Sequence, residues 1–291
     1  MSLLQKKYAA LINPDVLRAH QKPILLATGI TAAAAPLLAY AWSCYRQWLA
    51  LGPGGVPYHF LGWLLQTSMH VIARSDTREP LPRPYTRLED VAALYGAAGA
   101  KTYFGNGQGQ IPKRKGDRPT IPTFVAPQRQ TSDVASPATV AAEKAFLDAL
   151  AAANASLFEV RTSKLEGPLH QALWLRLPSA SPDDAEKQKT LLELRTRLGR
   201  GSGGEFAHVH GEGSAHVTLS PADAKAAIEA GWAERHRLAG VWGSRAVVPW
   251  GYVLVYAPRD EAEFAVFREF ILAGARYVTE GAGAEVVAPA E

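Results

Sequence analysis

A short histidine-rich segment alternates apolar and polar residues, and this alternation strongly limits how the segment can fold. Residues 205–210 read EFAHVH, and residues 215–219 read AHVTL. Strict alternation is typical of a β-strand, so the imidazoles of His208 and His210 should leave the same face, about 7 Å apart. The residues between the two runs, 211–213 (GEG), favour a turn. The segment therefore predicts a β-hairpin.

The position of His216 depends on the register of this hairpin. A three-residue loop at 211–213 pairs His216 with His208 on one face of the sheet. A two-residue loop at 212–213 pairs it with Val209 and turns it to the other face. The sequence leaves both registers open.

A helix and a loop are expected to follow the hairpin. Ser220 suits the N-cap position, a proline follows at the first helical position, and Gly231 ends the helix. The next residues, 232–240 (WAERHRLAG), are expected to form a loop that carries Arg235 and His236.

Charge and cysteine content limit the classes of function. The chain has 31 Lys and Arg against 27 Asp and Glu, a net charge of +4, and its basic residues are scattered. This charge distribution does not indicate a nucleic-acid partner. Cys44 is the only cysteine, which excludes an intrachain disulfide and a cysteine-based metal site.

An uncharged stretch near the N-terminus, residues 23–42, is long enough to cross a hydrocarbon core of ~30 Å as a helix. We expect a basic segment at 1–22, a transmembrane helix at 23–49 and an interfacial apolar segment at 50–75. These elements predict a membrane partner and a single-pass anchor in the endoplasmic reticulum or another endomembrane, with the side of the domain left open. The alternative is a buried or interfacial helix.

The rest of the chain interleaves helices and strands. Residues 76–135 are expected to form an irregular Pro, Gly and Arg-rich wrap, residues 136–282 the catalytic domain, and residues 283–291 a tail. Helices are predicted at 136–153, 182–198 and 260–277, and strands at 157–162, 169–177 and 252–256. Hairpins without strict βαβ repeats predict an α+β fold, with an antiparallel sheet and flanking helices after the N-terminal transmembrane helix.

Several motifs together resemble the fungal luciferase family. They are E-x-A-H-x-H with a further His, the Ser-Pro helix, G-W-x-x-R-H-x-L-A-G, Tyr256-Ala257-Pro258-Arg259, Arg118-Pro119, Gln128-Arg129-Gln130 and Thr162-Ser163-Lys164-x-Glu166. The resemblance covers most of the chain from about residue 36 to residue 280. Luminous members oxidise 3-hydroxyhispidin, a hydroxy-pyrone, with molecular oxygen. The resemblance therefore implies a luciferase-like oxygenase for a small enolisable polyphenol, with O2 as co-substrate.

Three roles remain open for the histidines. As a general base, an imidazole with a pKa near 6.5 removes an enol proton, so that the anion reacts with oxygen directly. The resemblance favours this role, with no cofactor beyond O2. As ligands, His208 and His210 with His216 or His236, and with Glu205 or Glu212 near them, have the ingredients of a divalent metal site. In the third role, the four histidines are structural.

Other residues support the candidate site. The candidate catalytic residues are His208, His210, His216, His236, Arg235, Arg259, Lys164 and Glu166, and the candidate substrate-binding residues are Trp232, Trp242, Tyr256, Arg118 and Arg129. Alternatives are a helix-start ion pair for Arg259, mutual pairing of Lys164 with Glu166, and core packing for both tryptophans. The alternative function is a non-catalytic, membrane-tethered binder of small aromatic or lipidic ligands. The oligomeric state is left open.

Overall fold

The computed structural model describes residues 14–107, 110–177, 184–281 and 285–290. These residues divide into two compact units, with the boundary between Ala50 and Leu51. The described residues of the first unit form helix α1 (Pro14–Ala50). Part of the predicted basic segment and part of the predicted tail lie outside the described residues.

Helix α1 contains the stretch that the sequence predicted as a transmembrane segment. Within the described ranges, no helix combines the length and the apolar character that crossing a membrane requires. The predicted transmembrane helix at 23–49 was therefore wrong, and so was the single-pass anchor that depended on it. The physical reason is composition, because residues 32–35 are all alanine and a methyl group buries far less apolar surface than a leucine side chain.

The second unit contains the sheet and the helices around it. Its helices are α2 (Phe60–Ser68), α3 (Leu88–Ala92), α4 (Ala97–Ala100), α5 (Pro137–Ala153), α6 (Ala185–Leu198), α7 (Pro221–Glu229) and α8 (Glu261–Thr279). Its strands are β1 (Phe158–Thr162), β2 (Gln171–Leu175), β3 (Glu205–Val209), β4 (Ala215–Thr218), β5 (Ala233–Arg235) and β6 (Tyr252–Val255). Short 3-10 helices lie at Met69–Val71, Ala93–Tyr95, Phe104–Gly107 and Gly243–Arg245.

The described strands form one antiparallel sheet in the order β1-β2-β3-β4-β6-β5. The predicted α+β class, with an antiparallel sheet and flanking helices, is confirmed. Strand β5 lies in the segment that was predicted as a loop. Its three residues are too few to give a periodic signal in the sequence, and pairing with β6 creates the strand.

The two faces of the sheet differ sharply. One face carries Ala207, Val209 and Val217, which belong to the main apolar core. Helix α5 packs against β1, β2 and β3 on the core, and helix α8 packs against β3 and β4. Because strand side chains alternate, His208 and His216 point to the opposite face. The fold therefore separates an apolar layer from a face that bears polar side chains.

Helix starts follow the sequence signals. The side chains of Ser136 and Ser220 accept hydrogen bonds from the third residue of helices α5 and α7, as the Ser-Pro motifs predict. In the first turn of α7, the buried Asp223 accepts hydrogen bonds from the Thr102 hydroxyl at 2.6 Å and from the Tyr103 N–H at 2.9 Å. Asp223 therefore holds the segment before the sheet against helix α7.

Replacing Asp223 with alanine should lower the free energy of unfolding by about 1–3 kcal/mol, because the buried Tyr103 N–H loses its acceptor. Chemical denaturation of the wild type and the variant measures this change. Asp148→Ala, on the exposed face of α5, is the control and should change stability by less than about 0.5 kcal/mol. Equal stabilities for Asp223→Ala and the wild type would contradict the assignment.

Candidate active site

The hairpin adopts the register that brings three histidines together. His208 lies opposite His216, and the His210 N–H donates to the Ser214 carbonyl at 2.8 Å, which leaves a three-residue loop at 211–213. Gly213 has a φ of +92°, and a Cβ there would lie 2.4 Å from the Ala135 side chain. Glycine is therefore required at the end of this loop, and its left-handed conformation sets the register.

Four imidazoles lie in contact on this face of the sheet. The rings of His208, His210 and His216 have centroid separations of 4.9–5.3 Å, and the ring of His236 lies 5.2 Å from that of His216. The His216 ring also stacks on the Tyr252 ring at 4.8 Å. All four imidazoles are buried. The folded chain thus gathers the four histidines that the sequence singled out, although their catalytic role remains a prediction.

The carboxylate of Glu205 orients His208. One oxygen accepts from the His208 Nδ1–H at 2.7 Å and from the Ser163 hydroxyl at 2.8 Å. The other accepts from the N–H groups of Lys164 at 2.7 Å and Leu165 at 3.1 Å. Burial by itself would raise the pKa of Glu205, but these hydrogen bonds, first that of His208, leave the pKa below its usual value. The ionised carboxylate therefore fixes the proton of His208 on Nδ1.

Outer acceptors also fix the protons of His210 and His216 on Nδ1. The Nδ1 of His210 lies 2.9 Å from the Ser214 hydroxyl oxygen, and that hydroxyl donates to Glu212 at 2.5 Å. The Nδ1 of His216 lies 3.3 Å from the carbonyl oxygen of Val253, which can only accept. Both neutral rings consequently carry their lone pair on Nε2.

His236 has the opposite tautomer. The backbone N–H of Leu238 donates to its Nδ1 at 3.0 Å, so a neutral His236 carries its proton on Nε2. Burial, aided by the charge of Arg237, lowers the pKa of His236 to about 3. Burial also lowers the pKa values of His210 and His216 well below the usual value. The expected imidazole pKa near 6.5 was therefore wrong for these three residues, which stay neutral at physiological pH.

Glu166 faces two of the imidazoles. Its carboxylate oxygens lie 3.8 Å from the Nε2 of His208 and 4.0 Å from the Nε2 of His210. In the part of the chain that the structure describes, neither Nε2 atom has a hydrogen-bond partner. Glu166 pairs with Arg129, whose guanidinium also donates to the carbonyl oxygens of Leu51 at 2.6 Å and Pro53 at 2.8 Å. Glu166 therefore does not pair with Lys164, contrary to the alternative that the sequence suggested.

A largely apolar cavity of about 400 Å³ reaches this cluster. Its polar wall includes His216, His236, Lys164 and Glu166. Its apolar wall includes Met69, Ile72, Leu238, Val241, Trp242 and Val248. The arrangement can hold a flat, mostly apolar molecule with one polar edge against the histidines.

Two predicted catalytic arginines are not among the residues that line this cavity. Arg235 is buried, and its guanidinium donates to the carbonyl oxygens of Trp250, Glu79 and Pro80. Arg259 pairs with Glu263 at the start of α8, which matches the structural alternative.

The predicted substrate-binding residues lie in different surroundings. Trp232 is buried and donates to the Pro112 carbonyl at 2.6 Å, and Tyr256 is buried near Arg118, whose guanidinium binds backbone carbonyls. Arg129 holds Glu166 and does not line the cavity. Trp242 is 62% exposed and lines the cavity, so the alternative of core packing was wrong for this residue.

Sequence reasoning named Glu205 only as a carboxylate near the metal alternative, and it did not include Tyr252 in the site. The signal for Glu205 was present, since the motif E-x-A-H places a carboxylate three residues before His208. The pairing of β2 with β3 is irregular, because its register shifts between Leu173 and Trp174. The side chains of Glu205 and His208 can therefore form a hydrogen bond on the same face of the sheet. No sequence signal separates Tyr252 from the neighbouring residues of β6.

Comparison with known proteins places these residues in a named domain. Residues 203–274 match the family model described as Luciferase domain. The chain is 30% identical over 182 residues to a luciferase of Armillaria gallica. The aligned region covers 61% of this chain and 65% of that protein, so it spans just under two thirds of the relative's length. It is 25% identical over 273 residues to a luciferase of Armillaria mellea, covering 91% and 92% of the two chains.

A luciferase of Neonothopanus nambi is 24% identical over 269 residues, which covers 91% of each chain. No solved structure matches the chain. The match to the family model contains both strands of the histidine hairpin, His236 and most of α8.

A buried carboxyl group lies behind the hairpin loop. Glu143 of α5 is fully buried, and neither of its oxygens has a hydrogen-bond partner among the described residues. Burial first, and then the negative charge of Glu212, raise the pKa of Glu143 to about 8, against a smaller opposing effect of Lys144. Glu143 is therefore protonated at neutral pH.

Glu143→Gln should stabilise the protein relative to the wild type as the pH rises. The wild-type folded state keeps the Glu143 proton up to pH about 8, whereas the unfolded chain releases it near 4.5. Stability therefore falls between these pH values, by at most about 5 kcal/mol, and glutamine removes this loss. Thermal unfolding from pH 5 to pH 9 measures the difference. A Tm difference that does not change with pH would contradict the prediction, and Glu186→Gln on exposed α6 is the control.

Proposed function

We propose that the chain is a member of the fungal luciferase family and that it is an oxygenase that adds O2 to a small enolisable hydroxy-pyrone or polyphenol. The candidate substrate is 3-hydroxyhispidin, and light emission is an expected accompaniment. The observation that carries the proposal is the apolar cavity of about 400 Å³ with His216 and His236 in its wall. Cavities of roughly 300–1,000 Å³ with a few placed polar groups hold small organic ligands.

The polar edge of the cavity suits an enol that must lose its proton. His216 offers an acceptor nitrogen, because its Nδ1–H is directed at the Val253 carbonyl. The neutral acceptor at this position can take the hydroxyl proton of a bound substrate as a general base. His236 supplies an Nε2–H donor, and the ammonium of Lys164 adds positive charge at the cavity wall. These two groups stabilise negative charge as it develops on oxygen.

The proposed reaction balances in atoms and electrons. The substrate hydroxyl gives its proton to the acceptor nitrogen of His216, and the resulting enolate carbon donates an electron pair to O2. A carbon–oxygen bond forms, the carbon is oxidised, and the oxygen molecule is reduced to the peroxide level. The proton then returns to the terminal peroxide oxygen, so that the product is the substrate hydroperoxide. Burial of the histidine cluster supports this chemistry, since a dry site strengthens each charge interaction.

Trp242 supports an aromatic substrate. It lies in the apolar cavity wall, is 62% exposed and has a φ of +69°. A positive φ is unfavourable for a residue with a Cβ, and such residues are concentrated at binding and active sites. The indole therefore offers an aromatic surface on which a flat ring can stack.

Purified protein should consume O2 when 3-hydroxyhispidin is added, measured with an oxygen electrode and a photon counter together. His236→Ala should lower kcat at least about 10-fold, because an oxyanion donor is lost. His59→Ala, which alters an exposed histidine outside the cavity wall, should keep full activity. Tight substrate binding without O2 uptake would overturn the proposal and favour the non-catalytic binder.

Trp242→Ala should raise KM about 10-fold and leave kcat nearly unchanged, because stacking stabilises the bound substrate and the transition state equally. Steady-state kinetics over a range of substrate concentrations separate the two constants. Trp242→Phe keeps an aromatic face and should recover most of the loss. A fall in kcat at constant KM would contradict a role in binding alone.

A further inference from the structure

The three hairpin histidines share an arrangement that a simple hydrogen-bonded cluster does not need. Each Nδ1 has its own outer acceptor, which is the Glu205 carboxylate at 2.7 Å, the Ser214 hydroxyl at 2.9 Å or the Val253 carbonyl at 3.3 Å. All three lone pairs are consequently on Nε2, the atom on the far side of each ring. Outer-shell acceptors of this kind orient histidines that bind metal ions.

Two of the three Nε2 atoms are buried without a hydrogen-bond partner among the described residues, which is energetically unfavourable. The Nε2 atoms of His208 and His210 are fully buried and have no hydrogen-bond partner among residues 14–107, 110–177, 184–281 and 285–290. A buried acceptor without a partner costs about 1–3 kcal/mol. Since Nδ1 carries the hydrogen, neither ring can satisfy the Nε2 of the other. A hydrogen-bond donor such as water, a proton or a cation between them would remove this cost.

The donor atoms are close enough for one ion. A ring nitrogen from each of His208, His210 and His216 lies within 4.8 Å of the other two. The Glu166 carboxylate approaches the same point, at 3.8 Å from the Nε2 of His208 and 4.0 Å from that of His210. Its Oε1 is paired with Arg129, whereas its Oε2 is the atom that faces His208.

We propose that His208, His210 and His216 bind a divalent first-row transition-metal ion, with Glu166 as the adjoining carboxylate. Imidazole nitrogens with a carboxylate suit iron, zinc, copper or nickel, and they suit magnesium and calcium poorly. Three protein ligands leave a further coordination position, as in catalytic metal sites. That position faces the cavity, because both His216 and Glu166 line its wall.

The catalytic role of the ion rests on the function proposed above, whereas its binding does not. A divalent ion favours the ionised form of a hydroxyl that binds to it, in the way that bound zinc acidifies water. The ion would therefore stabilise the enolate oxygen directly, and the acceptor nitrogen of His216 would serve as its ligand. His236 has the other tautomer, so its Nε2 carries the hydrogen and does not offer a lone pair to the ion.

Co²⁺ titration of the purified full chain tests the site directly. After the protein is dialysed against a chelator and then against metal-free buffer, one equivalent of Co²⁺ should bind. Binding should produce visible ligand-field absorption and raise the Tm, and Zn²⁺ should displace the Co²⁺. His208→Ala and His210→Ala should each lose the absorption, whereas His59→Ala should keep it in full.

Ser214→Ala is a second test, in case His208→Ala or His210→Ala fails to fold. It removes the hydrogen-bond acceptor of His210 and leaves every proposed ligand in place. Its affinity for Co²⁺ should fall about 10–100-fold, the usual effect of losing an outer-shell partner. Folded wild-type protein that binds no Co²⁺, Zn²⁺ or Fe²⁺ would overturn the proposal. So would unchanged Co²⁺ affinity in folded His208→Ala and His210→Ala.

The two proposals fail separately in these experiments. One bound equivalent without O2 uptake would keep the metal site and remove the oxygenase function. Full O2 uptake by metal-free protein, confirmed by elemental analysis, would keep the oxygenase function and remove the catalytic role of the ion.

Discussion

The site depends on one buried carboxylate. Glu205 accepts four hydrogen bonds, from the His208 ring, the Ser163 hydroxyl and the backbone N–H groups of Lys164 and Leu165. These bonds fix the tautomer of a histidine on β3 and the shape of the turn after β1. That turn carries three residues of the cavity wall, Lys164, Leu165 and Glu166. A single charge therefore joins the histidine hairpin to the segment that faces it, and a neutral side chain would leave several buried donors without an acceptor.

The sheet explains how so many polar groups can be buried together. Its apolar face packs on α5 and α8 and supplies the core, so the opposite face is free to carry histidines. Burial keeps these rings neutral, which suits them as proton acceptors or as metal ligands and not as cations. The expectation of no cofactor beyond O2 remains a prediction. The geometry favours the metal alternative that the sequence had left open.

Much of the fold followed from local patterns, whereas several residue roles did not. Alternation predicted β3 and β4, and the Ser-Pro motifs predicted the starts of α5 and α7. The length of the uncharged stretch led to the wrong prediction of a transmembrane helix at the N-terminus. Its many alanines favour a helix but supply little apolar surface. Arg235 stood next to a histidine in a promising motif, yet its guanidinium holds three backbone carbonyls. Adjacency in sequence does not show where a long side chain ends.

The sequence by itself determined the class of the fold, the resemblance to the fungal luciferases and the four candidate histidines, because these follow from periodicity and from motifs. Only the tertiary structure decided the register that puts His216 opposite His208, since one glycine in a left-handed conformation sets it. The tautomers were also decided there. They depend on acceptors as distant along the chain as Val253, and such contacts leave no local pattern. The ion pair between Arg129 and Glu166 was decided by the tertiary structure as well, because no sequence pattern links these two residues.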